Sequence, residues 1–285
     1  MLNTNEINTL LEYFPKGVVF FDLEMTGLSA VVDKIIEIGA VRIKRDGTVS
    51  EFHSLVNPLV SLTPENSSIH GLTNDDLREA PTLKSPLKEF MSFVGSLPLL
   101  AHNAQFDASF IIRAHHELYL KIPNLDVFDS CKVARKAYKE ADPAPKDYKL
   151  QTLSKFFNLS TQNHRALDDA KIGLKTMALI LAQNKVTLPN YSELKKTSYI
   201  FNLSKFQKAE SYILNKKFLP LAKMARKQEK ILLTYKGGSR SGEKRPVKAI
   251  AIVPLPSGLS LYGFCELDDK FKFFKLKKIT DFETA

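Results

Sequence analysis

The apolar run Gly17–Leu23 ends in acidic residues and reads as a strand. Lys34–Lys44 predicts a second strand. Gly47–Asn57 predicts a third, reached through the turn Arg45-Asp46-Gly47, and Asp-Gly between two such runs signals an antiparallel hairpin. Pro64–Leu77 reads as loop and short helix, and Leu83–Val94 has helical periodicity. Leu97–Ala101 is a short buried strand. Phe106, Phe110, Ala114 and Leu118 then recur every four residues along one helix face. A last strand at Leu125–Asp129 leads into a helix through Cys131–Tyr138, and the proline-bearing, charged stretch Lys139–Lys149 is a loop. Helices follow at Leu150–Phe157 and Ala166–Ala182, the latter carrying Ala170, Leu174, Met177, Ala178 and Leu181 on one side.

After Pro189 the texture changes. Residues 189–230 are lysine-rich with helically spaced apolar positions (Leu203, Phe206, Ile213, Leu214, Leu219, Leu221) and read as a helical linker. Residues 231–285 hold four strand-like runs, Ile231–Tyr235, Val247–Leu255, Ser260–Leu267 and Phe271–Ile279, separated by glycine-rich or polar turns. They predict a small β-barrel or sheet, with Phe271 and Phe273 sharing a face and pointing inward together. The chain is thus expected to be α/β over residues 1–188, then linker, then β-rich.

A length of 285 residues suits two domains better than one, and 44% hydrophobic with 25% charged residues excludes disordered and collagen-like chains. No apolar stretch approaches the roughly 18 residues of a membrane span. The amino terminus lacks the basic start and cleavage site of a secretory leader. Cys131 and Cys265 are isolated, so a cytoplasmic setting without disulfides is expected. Charge is segregated: residues 1–190 hold 21 Lys+Arg against 22 Asp+Glu, and residues 191–285 hold 20 against 9, a net of +11. Such an excess in one part of the chain points to a polyanion partner, most often nucleic acid. No membrane partner is expected.

Asp22 and Glu24, two apart on a strand, project from one face, and such like charges repel unless a cation lies between them. Hard oxygen donors of this kind suit Mg²⁺ or Mn²⁺. His102-Asn103-Ala104-Gln105-Phe106-Asp107 puts a carboxylate early in a helix after a buried strand, and His164-Arg165-Ala166-Leu167-Asp168-Asp169 opens the last long helix. Singly, each has an ordinary reading as a solvated strand end or a helix cap. Together they offer carboxylates at three element ends and one histidine, the requirement of a two-metal phosphodiester site.

These three motifs, in this order, resemble those of the DEDDh exonucleases, a family that includes the proofreading subunit of bacterial replicative polymerase and ribonuclease T. The resemblance covers residues 15–185. It implies a ribonuclease H-like mixed five-stranded sheet flanked by helices and 3′-to-5′ release of mononucleotides with two divalent metals, Mg²⁺ or Mn²⁺. By the same resemblance Asp22, Glu24, Asp107 and Asp169 would be metal ligands and His164 the general base; a register slip of one would exchange Asp168 and Asp169. Arg165 stands where the tyrosine subgroup has its Tyr, which indicates the histidine branch. The resemblance further implies that Met25 and Thr26 hold the 3′ end, that Leu28 wedges against the terminal base and that Phe106 offers a stacking surface. For Leu28 and Phe106, plain core packing is the other reading. His102 and Asn103 are expected to be structural.

The carboxy-terminal part, with Tyr262 between Leu261 and Gly263 and no tryptophan, is similar to a WYL domain, a small SH3-like barrel associated with nucleic-acid binding. The expected function is therefore a two-metal 3′–5′ exonuclease acting on single-stranded or frayed DNA, with a polymerase or repair partner. The alternatives are an exoribonuclease and a nucleic-acid-binding regulator with an accessory nuclease domain.

Overall fold

The computed structural model describes residues 2–159, 165–197, 200–205, 214–238, 240–255 and 258–285. Packing divides the chain into two compact units, Met1–Thr26 with Lys34–Phe206, and Gly27–Asp33 with Gln207–Ala285.

The first unit opens with α1 (Thr4–Tyr13), which the apolar pattern did not reveal. Its start is nevertheless written in the sequence: Asn3 and Glu6 form a capping box, each side chain accepting the other's backbone N–H. Next come β1 (Gly17–Met25), β2 (Ile35–Lys44) and β3 (Val49–Leu55), the expected antiparallel meander. Helices α2 (Pro64–His70), α3 (Asn74–Arg78) and α4 (Lys84–Val94) lead to β4 (Leu99–Ala101), α5 (Gln105–Glu117), β5 (Asp126–Asp129) and α6 (Ser130–Ala137). Then follow α7 (Leu150–Phe156), α8 (Ala166–Gln183), α9 (Tyr191–Thr197) and β6 (Phe201–Asn202). The sheet runs β3-β2-β1-β4-β5-β6, parallel at β1–β4 and β4–β5 and antiparallel elsewhere. It is the expected mixed sheet, enlarged by β6. Two residues are too few for any periodicity to announce.

Val18, Val19, Phe20 and Phe21 are fully buried, because β1 is a central strand covered on both faces. Edge strand β3 alternates exposed and half-buried positions instead. Phe20, Leu100 and Phe128 of the sheet meet Ala170, Leu174, Met177, Ala178 and Leu181 of α8 in one core, so the helix face expected from spacing is the buried one. Gly173 permits this close seat: a Cβ there would lie 2.2 Å from the Phe20 ring.

In the second unit, α10 (Leu219–Arg226) precedes β7 (Lys230–Tyr235), β8 (Lys244–Leu255), β9 (Gly258–Cys265), β10 (Lys270–Lys275) and β11 (Ile279–Thr284). They form an antiparallel sheet of order β10-β9-β8-β7-β11. The run read as one strand, Phe271–Ile279, is two: a 3₁₀ turn at Leu276–Lys278 sends the chain across to pair with β7. Phe271 and Phe273 do share a face, stacked on Tyr262 at 5.7 and 4.9 Å, but both stay half-exposed. Phe274, of opposite parity, enters the core with Leu276 and Ile279. The stretch expected as linker is divided, α9 and β6 belonging to the first unit and α10 to the second. Its positions Phe206 and Ile213 lie outside the described residues. Among the described residues, no helix is long and apolar enough to cross a membrane. Neither cysteine forms a disulfide.

Candidate active site

Asp22 and Glu24 occupy same-face positions near the end of β1, just before a register shift between Glu24 and Met25. Asp169 lies in the first turn of α8. That turn lies directly against β2, where only glycine fits, since a Cβ on Gly39 would stand 2.1 Å from the Leu167 nitrogen. One carboxylate oxygen each from Asp22, Glu24 and Asp169 falls within 4.8 Å of the others. Asp168 is not part of that group. Asp107, in the first turn of α5 and only 3% exposed, stands beside it, accepting the Leu23 N–H and close enough to act on Asp22. His164 lies outside the described residues.

Burial and mutual repulsion dominate the electrostatics. Asp22 is held well above the usual carboxylate range by burial first, then by the charges of Asp107, Glu24, Asp169 and Glu37. Glu24 is pushed up to about 9 by burial and by Asp169, Glu37 and Asp107, with Arg165 opposing. Asp107 is pushed up to about 7 by burial, which the backbone N–H groups of Asp107 and Leu23 only partly offset. Crowded acids of this kind fit a hard divalent cation, whose charge removes the repulsion.

This arrangement sets a sign for stability. A carboxyl whose folded-state pKa is raised holds a proton the unfolded chain has already released, so folding weakens as pH rises from the ordinary carboxylate range toward 7 (Asp107) and 9 (Glu24). A bound divalent cation takes the proton's place. Thermal melts at pH 5, 7 and 9 are therefore expected to show a gap between Mn²⁺ and chelator that widens with pH. A gap that stays constant would mean these carboxylates do not destabilise one another.

The remaining expected positions are placed variously. Met25 and Thr26 are half-buried. The Thr26 N–H donates to the Lys34 carbonyl (2.9 Å), and the Thr26 carbonyl accepts from Asn66 Nδ2. Leu28 falls in the second unit, 40% exposed, its N–H donating to the Tyr262 hydroxyl at 2.9 Å. Phe106 is half-buried, edge-on to Phe110 at 5.6 Å. His102 is tied to Ser130 Oγ and the Tyr148 carbonyl. The buried Asp129 accepts from the N–H groups of Asn103, Cys131 and Lys132, which caps α6.

Sequence reasoning passed over Glu37. Its carboxylate is fully buried and accepts from Arg165 Nε and a terminal guanidinium nitrogen, from His53 Nε2 at 2.6 Å and from the Ala166 N–H at 3.1 Å. Burial raises its pKa, but those hydrogen bonds and the Arg165 charge outweigh that and hold it below the ordinary range. The signal was a lone acid inside the apolar run of β2, since Glu is almost never fully buried unless paired.

A mixed sheet that gathers carboxylates from β1, α5 and α8 around one strand end defines a nuclease. The chain belongs to the Exonuclease (RNase_T) family, whose model matches residues 19–177. It is similar to the PolC-type DNA polymerase III of Caldanaerobacter subterraneus, 39% identical over 154 residues, which are 54% of this chain and 11% of that protein. The PolC-type polymerase of Bacillus subtilis is 36% identical over 169 residues, 59% of this chain and 11% of its own. The chain thus spans about a tenth of the length of these curated relatives. Two solved structures share the fold. The nuclease domain of 3′hExo, a DEDDh family member bound to rAMP, covers 60% of this chain and 94% of its own at 20% identity, TM-score 0.52. Escherichia coli Exonuclease I with a dT13 oligonucleotide covers 87% of this chain and 55% of its own at 15% identity, TM-score 0.52.

Proposed function

We propose that the protein is a 3′–5′ exonuclease that removes nucleotides from single-stranded or frayed DNA ends in a polymerase or repair setting. The meeting of Asp22, Glu24 and Asp169 within 4.8 Å carries this reading. With Asp107 alongside, they would hold two divalent cations, Mg²⁺ or Mn²⁺. When bound, such a pair supplies an activated water and stabilises the leaving 3′ oxygen. His164 takes the water's proton, a task suited to a side chain that titrates near neutrality. Met25, Thr26, Leu28 and Phe106 line the approach of the terminal nucleotide. DNA is favoured over RNA because the similar PolC-type proteins are DNA polymerases. Parallel digestion of 3′-labelled and 5′-labelled single-stranded DNA, duplex DNA and RNA with Mg²⁺ or Mn²⁺ tests the reading. Label released first from 3′-labelled single-stranded DNA supports it. Preference for RNA would make the protein an exoribonuclease, and no release from any substrate would leave the regulator reading.

The carboxy-terminal sheet, WYL-like and basic, is proposed to grip the strand's phosphates. Lys270, Lys275 and Lys277 form no ion pair among the described residues, and they lie on or beside the edge strand β10. Changing all three to glutamine in the full chain is expected to lower the salt slope of single-strand binding by about 0.7 for each phosphate that is no longer neutralised. An unchanged slope and affinity would favour a protein-binding role for this unit.

A further inference from the structure

Glu24 and Glu37 stand directly opposite one another in the β1–β2 ladder, so their side chains share a face. Facing acids are destabilising, and burial of Glu37 to 1% side-chain exposure adds to the cost. The contacts made by Glu37 show what this arrangement achieves. Oε1 accepts from Arg165 Nε at 3.0 Å, from a terminal Arg165 nitrogen at 2.8 Å and from His53 at 2.6 Å. Oε2 accepts from Arg165 Nε at 3.2 Å and from the Ala166 N–H at 3.1 Å. One carboxylate therefore holds both the side chain of Arg165 and the first backbone amide of α8. In turn, the Asp169 N–H donates to the Arg165 carbonyl at 2.9 Å. The clamped residues lie between His164, next in sequence, and Asp169, one helical turn on.

We infer that Glu37, with Arg165 and His53, is a positioning group that fixes the entry of α8 and thereby aims the residue at 164 at the carboxylate cluster. A planar guanidinium gripped at two nitrogens has its direction set as well as its distance, which a lysine would not provide. None of the three need touch substrate. The inference rests on His164 being the base under the proposed function.

The test is a double-mutant cycle in the full-length protein. Arg165 is 39% exposed, so Arg165→Gln is expected to fold, with its melting temperature and Mn²⁺ affinity close to wild type. Its kcat should fall on the order of 10²-fold, the scale of a misplacement of about 1 Å, while KM stays within about twofold. Arg165→Lys should recover only part of the loss. The decisive readout is His164→Ala/Arg165→Gln, which should be no slower than His164→Ala alone, because an aim has no value once the aimed group is gone. Glu37→Gln, nearly the same shape, should reproduce the Arg165→Gln pattern. Wild-type kcat in a folded Arg165→Gln, or losses that multiply in the double variant, would overturn the inference while leaving the nuclease reading intact. Wild-type activity in His164→Ala would instead remove the base assignment, and the inference with it.

Discussion

Asp22→Asn and Asp169→Asn are each expected to abolish divalent-dependent hydrolysis in a protein that still folds. The amide keeps the shape and one weak oxygen donor but none of the charge that compensates a cation. Metal-borne charge stabilisation is worth several kcal/mol, so the loss should be on the order of 10³-fold or more. The folded state should gain rather than lose. Removing one of several mutually repelling buried acids relieves Asp22 and Glu24, so these variants should melt higher than wild type in chelator. Asp168→Asn is the matched control, since Asp168 lies outside the group whose oxygens meet, and its activity should stay near wild type. The checks are single-turnover hydrolysis and thermal melts in chelator. Near-wild-type hydrolysis by a folded Asp22→Asn or Asp169→Asn would remove that residue from the mechanism.

His164→Ala is expected to slow hydrolysis on the order of 10²–10⁴-fold, the usual worth of a positioned general base. Mn²⁺ binding, measured by calorimetry, should survive, because the carboxylates do the holding. The pH dependence separates this loss from a structural one. A histidine base makes the wild-type rate rise across the range where imidazole titrates, about pH 6–7, and the variant should lack that limb. Loss of Mn²⁺ binding in the variant would make His164 a ligating or structural residue instead.

Much of this site was legible in the sequence because it sits where local rules change. Asp22 and Glu24 interrupt an apolar strand, Asp107 follows a buried strand into a helix, and Asp169 opens a helix whose apolar face has clear spacing. What escaped depends on partners distant in sequence. Glu37 gains its meaning only from Arg165, and nothing near either residue names the other. The pairing of Phe201–Asn202 with Asp126–Val127 likewise has no local signature. The assignment of Gly27–Asp33 to the second unit also rests on distant partners, among them the bond from the Leu28 N–H to the Tyr262 hydroxyl. The amino-terminal helix is a different case: Asn3 and Glu6 spell a capping box, but ten residues of modest amphipathicity give a periodicity search little to hold.

The carboxylate cluster also has an order of assembly in time. β1, β2 and β3 pair through short connections and can close early, whereas Asp169 comes from a helix near the far end of the first unit. A chain leaving the ribosome at about 5–20 residues per second exposes Asp22 and Glu24 for several seconds before α8 exists to complete the group. The nascent protein therefore carries an acidic pair without its third partner while it is still beside the messenger and ribosomal RNA, and the cluster closes only when most of the first unit has been made.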